Sequence, residues 1–139
     1  MKHFEIIPGK SVGPFVLGQH INEIRERITE PVVFEEWMGG NLNDSILLQG
    51  LVLNFDKYDA NGPVENSKFV SYRLYKRINT SIFGKLCQHW TLEEMQLYLK
   101  KQSIEYVVEK EVPPDVDLLL SQTKQSLSFE NGILVYAEC

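Results

Sequence analysis

Residues 6–18 read IIPGKSVGPFVLG, and the fold turns on what the glycines in it do. Gly9-Lys10-Ser11 is the tail of a phosphate-binding loop, G-x-x-x-x-G-K-[ST], which would make the chain a nucleotide-binding α/β protein. The first glycine of that pattern falls on Phe4, and the next residues, Val12-Gly13-Pro14, do not start a helix. No run of helical N–H groups then follows the lysine to hold a phosphate. The other reading is a series of bends. Pro8, Gly9, Gly13, Pro14 and Gly18 punctuate a briefly extended chain pinned by Phe15 and Leu17, and Gly18 turns it into a helix.

Two amphipathic helices follow from spacing. INEIRERI (21–28) places Ile21, Ile24 and Ile28 on one stripe, and Pro31 ends it. TLEEMQLYLKK (91–101) has Thr91 as N-cap and Glu94 completing a capping box. Its stripe is Leu92, Met95 and Leu99, and Lys100 and Lys101 sit at the negative end of the dipole. GQHI leads into the first helix and CQHW into the second. PVVFEEW follows the first and SIEYVVEKE the second. ILLQGLVLNFD then matches LLLSQTKQSLSFE, and FVSYRLY matches ILVYAEC.

The expected fold is therefore α+β, a tandem duplication of a helix packed on a mainly antiparallel sheet. It forms one domain over 1–139, with pseudo-repeats at 15–76 and 86–139. Asn131-Gly132 within FENGILVY marks a tight hairpin. The first half carries a long polar turn, DKYDANGPVENS, where the second has only ENG, and an insertion at a hairpin tip often serves recognition.

Composition bounds the class. The 139 residues are 43% hydrophobic and 24% charged, ordinary for a soluble globular domain. A net charge of −5 argues against direct nucleic-acid binding and suits a basic protein partner. Cys87 and Cys139 read as free thiols of a reducing compartment. The N-terminus lacks the apolar run of a signal peptide. ILLQGLVLNF, the longest apolar stretch, is too short to span a bilayer. A cytoplasmic protein with no membrane partner is expected. Apolar residues fill both alternations of ILLQGLVL, so this strand is either buried on both sides or used in association.

Catalytic and metal chemistry finds little footing. Cys87-x-His89 has no second ligand pair for a metal and no orienting group for a nucleophile. His20 and His89, just ahead of the two helices, are expected to cap or fill those bends. An EF-hand reading of DKYDANG puts Lys57 at the first ligand position and Lys68 at the twelfth. The carboxylate pairs Glu35-Glu36, Glu93-Glu94 and Asp115/Asp117 have no glycine-framed pocket beside them. No catalytic residue, metal site or cofactor is assigned, and the chain is not expected to be an enzyme.

What remains is surface. FEEWMGGNLND offers Glu35, Glu36, Trp37 and Asp44, and DKYDANGPVEN offers Asp56, Tyr58, Asp59 and Glu65. Aromatics beside acids in loops suit protein recognition. In KFVSYRLYKR, alternation puts Phe69, Ser71, Arg73 and Tyr75 on the more polar, outward face, so Arg73 and Tyr75 join the partner-binding set. Val70, Tyr72 and Leu74 take the other face.

The stretch IIPGKSVGPFVLGQHINEI (6–24) resembles the opening of small bacterial families in which P-G-x-S-x-G-x-F-x-L-G leads into a first helix. Similar tandem helix-plus-sheet units occur in beta-lactamase-inhibitor-like proteins. In size and charge the chain is similar to immunity proteins of contact-dependent growth inhibition and other toxin systems. That resemblance implies a cytoplasmic protein that occludes the active site of a cognate toxin, a nuclease being the best match for acidic charge. The alternative is an adaptor or small-ligand-binding α+β protein without catalytic activity.

Overall fold

The computed structural model describes residues 3–29, 43–48, 50–75, 79–112 and 115–139, with 110–112 described by backbone alone. Its first part runs β1 (Phe4–Ile7), β2 (Ser11–Val12), β3 (Phe15–Val16), α1 (Ile21–Arg27), β4 (Ser45–Leu48), β5 (Leu51–Phe55), β6 (Tyr58–Asp59), β7 (Gly62–Pro63) and β8 (Phe69–Tyr75). The second runs β9 (Thr80–Ile82), β10 (Lys85–Leu86), a 3-10 turn (Cys87–His89), α2 (Leu92–Lys101), β11 (Tyr106–Val112), β12 (Asp115–Leu120), β13 (Gln125–Glu130) and β14 (Ile133–Glu138). The fold is mixed α+β with mainly antiparallel sheets.

The glycine-rich opening makes strands, not a phosphate cradle. Gly9, at φ +69, turns β1 back along β2, and Gly13, at φ +56, turns β2 into β3. A five-stranded sheet results, ordered β10-β9-β1-β2-β3, in which β1 and β9 run parallel. Gly9 also lies against the β12–β13 turn, where an added Cβ would stand 2.7 Å from Cβ of Thr123. Glycine is required there twice over, for its φ and for the close approach.

The large sheet has seven strands ordered β11-β12-β13-β14-β8-β5-β4, every pairing antiparallel. Three strands following α1 and four following α2 meet at the β8·β14 seam. The helix starts are tied to those strands alike. Ile21 N donates to Ser67 O and Phe69 N to Gln19 O. In the other half Leu92 N donates to Gly132 O and Leu134 N to Trp90 O.

Both helices form where spacing and caps predict. Thr91 Oγ1 accepts from Glu94 N at 3.2 Å. Ile21, Ile24, Met95 and Leu99 are fully buried. They share one core with Phe4, Ile6, Val12 and Phe15 of the small sheet and with Leu53, Tyr72, Leu118, Leu127 and Phe129 of the large one. Each such side chain contributes about 1.5–3 kcal/mol on leaving water. Helix α1 stops at Arg27, ahead of Pro31, because Ile28 turns extended at φ −78, ψ 120 and packs on the core.

Two expectations change. ILLQGLVL is not one strand but the hairpin β4–β5, turned at Gly50 with φ +74, and both its faces are buried. In β8, Phe69 sits inward, with Tyr72 and Leu74, rather than outward with Arg73. A register shift between Asn54 and Phe55 makes Val70 an extra residue and resets the alternation. Asn131 and Gly132, at φ +53 and +80, form the predicted β13–β14 turn.

Candidate functional site

Loop 56–68 joins β5 to β8 and is more ordered than its composition suggests. Its tip is the small β6–β7 ladder, Tyr58↔Pro63 and Asp59↔Gly62. Asp56 Oδ1 accepts from Lys68 N at 2.8 Å, and Asp59 Oδ1 accepts from Asn61 N at 2.8 Å. The second is a local turn bond of a short acidic side chain, while the first ties the two ends of the loop together. Tyr58, between those acids, is 55% exposed. Asp44 lies at the same end of the sheet, its carbonyl accepting from Phe55 N and its carboxylate from Ser45 Oγ. Glu65 is exposed in the same loop. The structure thus brings together Asp44, Asp56, Tyr58, Asp59 and Glu65. Lys57 and Lys68 lie among them, so loop 56–68 sets three acids against two lysines. Glu35, Glu36 and Trp37 lie outside the described residues.

Arg73 and Tyr75 belong to a different place, the face of the large sheet turned from the core. The register aligns Arg73 with Glu138 and Tyr75 with Tyr136 across the β8·β14 seam. Glu138 and Tyr136 align in turn with Ser126 and Ser128 of β13, and Ser128 with Asp117 of β12. The Tyr75 and Tyr136 rings meet edge to face at 5.0 Å. Tyr136 OH donates to Glu138 Oε2 at 2.7 Å. Partial burial and this carboxylate push the Tyr136 phenol far above its usual range, so it stays a neutral donor. Serine, tyrosine, arginine and acids together make a surface of the kind used to bind proteins.

Charge is segregated in a way that the net value hides. Residues 104–139 carry seven Asp/Glu against two Lys, while the first 103 residues carry twelve of each sign. The whole net charge of −5 therefore belongs to β11–β14 and their turns. Counting charge by segment in the sequence would have exposed this. Loop 56–68, singled out by composition, is close to neutral.

The remaining candidates settle into structural roles. His20 and His89 are exposed, and His20 makes no side-chain cap, so neither imidazole fills a bend. Their positions are not equivalent either, since helix pairing matches Gln19, not His20, with Trp90. Trp90 is buried, its Nε1 donating to Ile82 O at 2.9 Å. Burial raises the Cys87 thiol against the opposing effect of its bond with Thr80, and so keeps it protonated and poorly nucleophilic. Among the described residues no three His, Cys, Asp or Glu side chains gather as a metal set. None of the described helices is long and apolar enough to cross a membrane.

A cleft of about 580 Å³ lies between the end of α1, β4 and the β6–β7 tip, with Arg25 at its rim and Ile28 and Leu47 in its walls. Its volume falls within the range of small-ligand sites. No family model, no curated protein and no solved structure matches this chain.

Proposed function

We propose that the chain is a non-catalytic binding protein of the immunity type. It neutralises a basic partner protein, of the class of toxins that includes nucleases, by covering the partner's active-site cleft. The contact surface is the outer face of β8 and β12–β14, with Asp117, Glu138, Tyr136 and Tyr75 at its centre and Asp56, Tyr58, Asp59 and Glu65 on its margin. One observation carries this reading: the entire excess of negative charge lies in one contiguous set of strands whose open face is built from Tyr, Ser and acids. A cleft that holds nucleic acid must be positive, and complementary charge speeds encounter and excludes wrong partners. The half-buried tyrosine pair supplies rigid contact area at low entropic cost. The two halves, 15–76 and 86–139, are taken as copies of one unit, a reading supported by the matching bonds at Ile21/Phe69 and Leu92/Leu134.

The test is a photo-crosslinking amino acid placed at Ser128 in host cells, with the captured protein identified by mass spectrometry. A basic protein is expected. Association with it should then slow at least tenfold, and lose most of its salt dependence, in the Asp117→Lys/Glu138→Lys variant. Triple reversal at Asp56, Asp59 and Glu65 should have a smaller effect. An unchanged association rate in the Asp117/Glu138 variant would remove the sheet face from the mechanism.

The cleft beside α1 favours a second reading, a small-ligand-binding protein. Saturable ligand-induced thermal stabilisation, abolished by Arg25→Ala and untouched by Glu138→Lys, would favour it over the first.

A further inference from the structure

Strand β11 closes one side of the large sheet, pairing only with β12 among the described residues. Half of the N–H and C=O groups of an edge strand point away from its neighbour. Val107 and Val108 are consecutive and point to opposite faces, yet they are 49% and 44% exposed. On the paired strand next door, Val116, Leu118 and Leu120 are at most 8% exposed. Exposure on both faces fits an edge that is open among the described residues.

The same strand is guarded against its own kind. Its pairing with β12 shifts register at Glu109, which is exposed, as is Glu105 just ahead of the strand. Bringing two copies edge to edge would also set two acidic halves against one another. A bulge and like charges are the usual protections of an edge strand from self-association. The charges do not repel a strand of opposite sign.

We infer that β11 is a strand-addition site for an extended basic segment of the partner, one alternating Lys or Arg with β-branched residues. Backbone hydrogen bonds to the open edge supply the attachment. Val108 contacts the apolar side chains on one face, and Glu105, on the opposite face with Val107, receives the cations, with Glu109 at the bulge beside them. This rests on the proposal of a basic protein partner and adds the manner of its binding.

The experiment titrates ¹⁵N-labelled protein with the capped hexapeptide Lys-Val-Arg-Val-Lys-Val and follows amide shifts at low salt. Saturable shifts confined to residues 104–112 and their β12 neighbours are expected below about 1 mM. Binding should weaken at least tenfold in Glu105→Lys/Glu109→Lys, a surface change that leaves the core intact. It should also weaken at least tenfold when the second valine of the peptide is replaced by proline, which removes a ladder N–H. No saturable shift, equal binding of the proline peptide, or shifts centred on Ser126, Ser128 and Tyr136 would each overturn strand addition. The Asp117/Glu138 test on the sheet face is independent of this peptide, so failure of one leaves the other readable.

Discussion

Tyr72 and Gln125 offer the sharpest test of how the sheet is held together. Both are fully buried, and Tyr72 OH donates to Gln125 Oε1 at 3.0 Å. Gln125 Nε2 in turn donates to Glu138 O at 3.1 Å. The chain of bonds ties β8 to β13 and β14 across the seam. Tyr72→Phe keeps the ring and deletes only the donor, leaving an amide oxygen buried without a partner. Such an orphan costs about 1–3 kcal/mol. For a domain of this length that lowers Tm by about 3–10 °C. Gln125→Met removes the other partner, and the double variant should cost about 1–2 kcal/mol less than the sum of the singles. Urea unfolding followed by tryptophan fluorescence measures all four proteins. Burial holds the Tyr72 phenol above its ordinary value of 10.0. A raised acid of this kind contributes stability that is complete below pH 10 and is lost as pH rises beyond it. The gap between the parent protein and Tyr72→Phe should therefore shrink in alkali. A Tyr72→Phe cost under about 0.3 kcal/mol, or simple additivity of the two changes, would refute the claim that this bond is a working part of the seam.

Three further outcomes follow from local geometry and charge. Gly9→Ala combines φ +69 with a Cβ only 2.8 Å from Thr123 O and should cost about 2 kcal/mol or more. Gly18→Ala, with φ +94 and nothing within 4 Å, should lose only about 1–2 kcal/mol in the same urea assay. Glu94 is held below the ordinary carboxylate range, first by Lys85 and then by Thr91. Its contribution is present above the unfolded carboxylate value and disappears as pH falls through the lowered folded one. Glu94→Gln should accordingly flatten the acid limb of the Tm-versus-pH curve.

The parts of the fold that were legible in the sequence are those set by short-range chemistry. Thr91 and Glu94 mark a helix start through one capping interaction, and Asn131-Gly132 marks a turn through allowed φ. The β4–β5 turn was hidden because Gly50 stands inside an apolar run whose flanks are buried on both sides. The inward position of Phe69 depends on a register shift opposite Asn54, which no single strand's alternation can reveal. The parallel contact of β1 with β9 joins residues more than seventy positions apart, beyond any local signal. Among the candidate site residues, Arg73 and Tyr75 were placed on the outward face by alternation alone. Their partners Tyr136 and Glu138 were not, because only the seam brings the two strands together. The acids of β11–β14 were in plain view, but a single net charge averages them with a balanced first half.

The seam also has a consequence for synthesis. The ribosome makes β14 after the six other described strands of its sheet, yet β14 lies between β13 and β8. Until residues 133–138 emerge, β8 and β13 each present a bare flank, and neither group of strands can finish its core. Folding of this sheet must wait for residues 133–138, as expected for a topology dominated by distant pairings. A truncated product would carry two sticky sheets, which is how such a chain would announce premature release.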